Sequence, residues 1–460
     1  MTHLTGYNTT LMPTGAYPYY EVPAQSTAAP EEAERRMPTF LGVAAGLFLG
    51  SVCLASSASE QLSWIPQLVG VGLSVCWLVV GLMIMGQPIR WSRPITLYMA
   101  YFIWACTGFL VTIEMEYFLT MWKTTLKVVL ITFVVFQCVR TRKDFLFCCL
   151  AIGITSIIVI AEGRESIVRA AQYAGGERGA VAKARASETL LSNANHLGIF
   201  SVLVIGCGMA CLMGYKSLLM KILGSLAMIA GLYLVAASGS RTAMVGLATG
   251  SAALYFYHFR KAGQGNLGRK LFLTVMGIGV LAGTTYYVST LPFFFRLQSV
   301  VTEKDAREKE PRYVYFFKSL EVVAEHPVVG LGIGGFSLHR LGKSYGSLGQ
   351  YTHSSISETL SATGLPGFGL YYGSQLAMFL LIRRTRKLAL PKRDLAAVNM
   401  IMAILWITLA FGVVAVLMYD RFLWPFLGAC CGYLCYLNQM YGHTAPSPAY
   451  AVATYPPVRR

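Results

Sequence analysis

Two arginines, one histidine and a run of glycines are the residues whose types and surroundings could do chemistry. Arg241 ends Ala236-Ala237-Ser238-Gly239-Ser240-Arg241, a hairpin of small residues between two apolar stretches. A guanidinium there lies at a membrane surface or inside a helix bundle. Facing lipid at mid-membrane it would cost about 2.5–3.5 kcal/mol, so an anionic partner is expected; snorkelling to headgroups is the plainer alternative. Arg312 opens Pro311-Arg312-Tyr313-Val314-Tyr315-Phe316-Phe317, in which Tyr313, Phe316, Phe317 and Leu320 fall at helical spacing. The planar, permanently charged fork of arginine suits phosphate. His353 stands in Thr352-His353-Ser354-Ser355-Ile356-Ser357-Glu358, where Ser355 and Glu358 have capping-box spacing and place the histidine just before a helix N-terminus. Such an end can hold a phosphate, and an ordinary imidazole, with a pKa of about 6.5, is largely neutral at pH 7 and able to take a proton. Between these lies Glu325-His326-Pro327-Val328-Val329-Gly330-Leu331-Gly332-Ile333-Gly334-Gly335-Phe336. The sequence predicts a helix ended by Pro327, then a glycine turn whose Gly332 and Gly334 bring backbone N–H groups near an anion, or pack a re-entrant loop against helices.

The elements that must position these residues are membrane helices. Of 460 residues, 55% are hydrophobic and 13% charged, and the mean hydropathy is +0.54; soluble globular chains carry about a quarter charged residues. A bilayer-crossing helix needs about 20 mostly apolar residues. Twelve segments qualify, near 38–57, 64–86, 94–113, 124–139, 144–161, 197–214, 220–237, 242–257, 270–288, 366–382, 396–416 and 422–441. Residues 1–37 and 442–460, rich in proline and without an apolar core, read as disordered cytoplasmic tails around a transmembrane domain at 38–441. That domain carries two long outer loops, 162–196 and 289–365, the second being where function is expected.

The formal charge of +17 first suggests nucleic acid, but sorting it by loop removes the need. With both ends inside, 21 of the 38 basic residues and six of the 21 acidic ones fall on the inner side. The outer face is left nearly neutral, so its few cations stand out. All 11 cysteines lie in apolar runs with no C-x-x-C pair, which supports neither a zinc ribbon nor a disulfide framework. Only four aspartates occur (Asp144, Asp305, Asp394, Asp420), without Asp-x-Asp spacing, so no metal site is expected.

Taken in order, Ser238-Gly239-Ser240-Arg241, Arg312 opening an aromatic helix, His326-Pro327-Val328-Val329-Gly330-Leu331-Gly332, and Thr352-His353-Ser354-Ser355 leading to Glu358-Thr359-Leu360 and Gly364-Leu365-Pro366-Gly367 resemble the O-antigen ligase and O-antigen polymerase family of bacterial lipid-linked glycan transferases. The resemblance covers roughly residues 187–382. It implies an all-α polytopic fold of about 12 transmembrane helices, like that of C-type glycosyltransferases, in the bacterial inner membrane with its active site facing the periplasm. The implied donor is a glycan on undecaprenyl diphosphate, and the acceptor lipid A core or another glycan. By match, Arg241 and Arg312 are the diphosphate-binding pair and His353 the essential loop histidine, with no cofactor. Ser354 stands where family members often have Asn, which alters a local hydrogen bond to the acceptor or histidine. Asn193-Ala194-Asn195-His196 also resembles a family segment, and Arg185 could hold lipid phosphate or a charged glycan, or simply be solvated; with Gly332, Gly334 and Ser354, these are the remaining substrate-binding candidates. The expected reaction is metal-independent, inverting transfer by a ligase. A polymerase on the same carrier, a protein O-oligosaccharyltransferase and a glycolipid transporter or flippase are the alternatives. The transporter reading lacks the internal repeat and mid-membrane charges common in that class.

Overall fold

The computed structural model describes residues 37–52, 64–173, 194–238, 240–259, 311–336 and 352–442. The described residues form helices and connecting turns, in the order α1 (Phe40–Ser51), α2 (Ile65–Cys76, continued by a π-helical stretch Trp77–Ile84), α3 (Arg93–Ala105, with a 3₁₀ turn Cys106–Leu110), α4 (Met115–Cys138), α5 (Arg142–Tyr173), α6 (Ala194–Gly214), α7 (Leu218–Ser238), α8 (Arg241–Leu254, continued as π-helix Tyr255–Phe259), α9 (Pro311–Glu325), α10 (Ser355–Thr385), α11 (Lys392–Val414) and α12 (Leu423–Gly442). Among them, seven stretches are long and apolar enough to cross a membrane: α2 with its π-helical continuation, α4, the first part of α5, α6, α7, α10 and α11. Exposed Leu68, Val71 and Val75 on α2, and Leu219, Ile222, Leu226 and Ile229 on α7, supply apolar surface with no protein over it, as lipid-facing helices do. This is an all-helical, polytopic membrane architecture.

Helices lie on eleven of the twelve expected segments; the twelfth, 270–288, is outside the described residues. Of these eleven, seven meet, among the described residues, the length and apolarity that crossing requires. The expected starts of two spans were late. Helix α4 begins at Met115 rather than near 124, because Lys123 and Lys127 sit one turn apart on an exposed face and do not interrupt it. Helix α10 begins at Ser355 rather than 366: the helix start expected after His353 and the span expected from 366 are one element, in which Ser357, Thr359, Ser361 and Thr363 are polar yet buried. Three of these hydroxyls bond back along the helix: Thr359 Oγ1 donates to Ser355 O at 2.6 Å, Ser361 Oγ to Ser357 O at 2.8 Å and Thr363 Oγ1 to Thr359 O at 2.8 Å.

Small residues set the helix spacing. A methyl group on Gly208 of α6 would lie 2.6 Å from the Gly224 carbonyl oxygen of α7, so these backbones touch in a way no larger side chain permits. The bundle has two polar ends. Asp394, in the first turn of α11, receives Arg142 Nε at 3.3 Å and the Tyr433 hydroxyl at 2.8 Å. At the same end Arg142 donates to Gly214 O at 2.8 Å, and Arg90 donates to the carbonyls of Phe136, Gln137 (3.2 Å) and Val139 (2.9 Å) that close α4. Cations on the last carbonyls of a helix satisfy orphan acceptors and complement its dipole. Burial holds the Arg90 guanidinium below its ordinary value and pushes that of Arg140 down to about 10. The 23 residues of α11 place the other end about 35 Å away at about 1.5 Å per residue.

Candidate functional site

The far end is built where α9, α10, α11, α12 and the starts of α6 and α8 converge. Its scaffold is a broken helix. Gly364 has φ +64° inside α10 and Pro366 follows, so the helical bond from Leu365 N to Ser361 O is opened. The turn after α9 enters this gap: Leu365 N donates to Pro327 O at 2.8 Å, and Leu331 N donates to Ser361 O at 2.9 Å. Both groups released by the kink are thereby paired. Gly330, at φ +71°, permits the approach, since a methyl group there would lie 2.6 Å from Ser361 O.

Gly332 and Gly334 continue the turn at φ +81° and +80°. A methyl on Gly332 would meet the Phe118 ring at 3.2 Å, and one on Gly334 the Tyr117 ring at 2.7 Å. Of the two readings of the glycine run, the structure favours packing of a turn against helices.

His353 sits in the turn entering α10 with φ +59°, a left-handed conformation that costs a residue other than glycine about 1–2 kcal/mol. Its neighbours impose it. Thr352 Oγ1 donates to Ser354 O at 2.8 Å, Thr352 N donates to Glu358 Oε2 at 3.2 Å, and Ser354 Oγ donates to Gly412 O at 3.4 Å. The expected capping box is only half right. Ser354, not Ser355, is the N-cap residue; Glu358 does reach back, but to Thr352. The Ser355 hydroxyl instead ties α10 to the segment after α11, donating to Ala415 O and accepting from Leu417 N, both at 2.8 Å. The His353 ring stacks on Tyr315 at 5.9 Å between centroids. Tyr315 lies three residues after Arg312, near the start of α9. The loop histidine and the start of the Arg312 helix are therefore brought together, though 41 positions apart in sequence.

A chain of buried polar groups leads onward. Glu358, almost wholly buried, also accepts from the Tyr419 hydroxyl at 3.4 Å. The next residue, Asp420, is buried too: its Oδ1 accepts from Phe422 N at 2.9 Å and Leu423 N at 2.7 Å, capping α12. Its Oδ2 faces His196 Nδ1 at 3.8 Å. His196 lies in the first turn of α6, and two residues on, Gly198 meets the Arg241 turn: a methyl there would lie 2.8 Å from Ala243 Cβ and 3.1 Å from Ser240 Cβ. Ser240 is the N-cap of α8, its side chain accepting from Ala243 N.

Arg241 and Arg312 thus occupy the first and second positions of α8 and α9. A positive side chain in a first turn opposes the helix dipole by about 0.3–1 kcal/mol unless an anion sits there. His353, Ser354, His196 and the two arginine-bearing helix starts belong to one end of the bundle, Gly332 and Gly334 to its packing, and Arg185 lies outside the described residues. Sequence reasoning missed Tyr315, Tyr419 and Asp420. Asp420 carried a signal, a lone aspartate just ahead of the apolar run that begins at Phe422, of the type that caps helix starts.

The model of the O-antigen ligase family matches residues 226–372, a stretch that holds Arg241, Arg312 and His353 and ends short of Asp420. His196 and Arg185 also fall outside it. No curated protein matches the chain.

Proposed function

Starting from an O-antigen ligase domain over residues 226–372, we propose that the protein transfers a glycan from undecaprenyl diphosphate to an acceptor hydroxyl at the periplasmic face of the bacterial inner membrane. The observation that carries this reading is the stacking of His353 on Tyr315, which sets a proton acceptor beside the arginine-bearing start of α9.

The acceptor oxygen attacks the anomeric carbon as its bond to the diphosphate breaks; the bonding pair leaves with the diphosphate and the hydroxyl proton passes to His353. Arg241 and Arg312 hold the charge that develops on the leaving group. Fixed cations of this kind act where charge grows in the transition state and need no reorganisation. Alignment of donor and acceptor supplies the rest. One displacement inverts the anomeric centre. Because the arginines take the place of a divalent cation, the reaction proceeds in chelator, and loss of activity there with recovery on adding a divalent cation overturns this part of the mechanism.

Ligase and polymerase differ in acceptor, and the ligase reading is preferred for the clear match to the loop-histidine motif. Reconstitution of the purified protein with a lipid-diphosphate glycan, offering either lipid A core or a second lipid-linked unit, separates them. Transfer to lipid A core is expected. Transfer to the second unit alone assigns the protein as a polymerase.

A further inference from the structure

Asp420 and His196 form a pair that the family match does not reach. Asp420 is buried by its surroundings, and one carboxylate oxygen is committed to the amides of Phe422 and Leu423. The other, Oδ2, is buried and has no hydrogen-bond partner among the described residues. A buried carboxylate oxygen without a donor is costly, and more so inside a helix bundle than at a surface. Its neighbour within ion-pair distance is His196 Nδ1, 3.8 Å away, a separation that a small rotation of the imidazole would close. The two members of the pair differ in access: Asp420 is enclosed, whereas the His196 side chain is 44% exposed. Nδ1 thus faces the carboxylate at the start of α6, and two residues further along the same helix Gly198 packs against the Ser240–Ala243 turn. That turn begins the helix that Arg241 opens.

We infer that His196, held by Asp420, is a third diphosphate-binding group: as an imidazolium it gives Nδ1–H to Asp420 and Nε2–H to a phosphoryl oxygen of the donor. His196 touches the substrate and Asp420 is its positioning residue. The arrangement spaces positive charge over the whole leaving group, with two guanidinium groups and an imidazolium on three helix starts, α6, α8 and α9. It also gives the enclosed carboxylate a donor. This inference rests on the donor assigned above.

The test is equilibrium binding of an undecaprenyl diphosphate to the full-length protein in nanodiscs, with Arg241→Ala, His196→Gln, Asp420→Asn and the His196→Gln/Asp420→Asn double variant. Asn at 420 retains the oxygen that caps α12, and thermal melting confirms that each variant is folded. His196→Gln is expected to weaken binding about tenfold or more, the size of a lost charge-assisted hydrogen bond. Asp420→Asn should weaken it less, the double variant no more than His196→Gln alone, and Asp420→Glu should restore part of the loss. A purely structural role for Asp420 would instead lower the melting point and give additive losses. Wild-type affinity in folded His196→Gln overturns the inference while leaving the donor reading intact. Failure of the wild-type protein itself to bind the diphosphate overturns both. An equal loss of binding to anionic phospholipid vesicles would make His196 a headgroup contact and overturns the inference as well.

Discussion

At the scale of single residues, the proposed mechanism separates the site into groups that meet substrate and groups that aim them. Arg241, Arg312 and His353 are assigned to the first kind, and their replacement by alanine should each lower transfer by about 10²–10³-fold, the loss seen when one transition-state donor is removed. The measurement is initial rate in proteoliposomes at equal amounts of inserted protein; unchanged activity removes that residue from the site. Glu358 is of the second kind. It receives the Thr352 amide and the Tyr419 hydroxyl, and so joins the His353 turn to the segment before α12. Glu358→Gln keeps an oxygen for Thr352 and should retain most activity. Glu358→Ala leaves a buried amide unpaired, at about 1–3 kcal/mol, and should lower both the melting point and kcat, with KM for donor little changed. From sequence, Glu358 was visible as a helix-cap partner. That its second oxygen meets Tyr419, 61 positions away, was not, because nothing in local spacing encodes a contact of that range.

At the scale of elements, the motif glycines do two different things. Gly330 and Gly364 join a turn to a kink, whereas Gly332 and Gly334 let the same turn lie against Phe118 and Tyr117. Both uses depend on positive φ as well as on space, so alanine is strained at each position. Gly330→Ala and Gly364→Ala are expected to destabilise the fold by about 1–3 kcal/mol, read as a lower melting temperature in detergent, and to reduce activity through displacement of α9. A melting temperature within a degree of wild type would show that the turn can open without loss. The Pro327 and Pro366 motifs share this origin: Pro327 O accepts the amide that the kink releases, and Pro366 interrupts the helix next to it. The order of these motifs in the sequence carried the resemblance to the O-antigen ligase and polymerase family, but their mutual contact is a property of the folded chain.

At the scale of the molecule, the two polar ends differ in kind. One is an assembly of arginines on helix C-terminal carbonyls with Arg142 on Asp394; the other collects His353, Glu358, Asp420 and His196 at helix starts. If α11 crosses the bilayer, a cysteine introduced at Glu325 should react with a membrane-impermeant thiol reagent added to the periplasmic side, and one at Lys387 only after permeabilisation. The reverse pattern would invert the orientation drawn from basic residues. Composition and apolar runs sufficed for the membrane class, for the positions of most helices, and for the arginines and histidine to be tested, because hydrophobicity and charge act residue by residue on a chain in a bilayer. Tertiary structure decided what those local signals cannot carry: that polar Ser355–Thr363 is buried helix, that the glycine run packs, and that Asp420 faces His196. Burial, a kink filled by another segment and a pairing across 224 positions arise only when distant helix ends are brought to the same place.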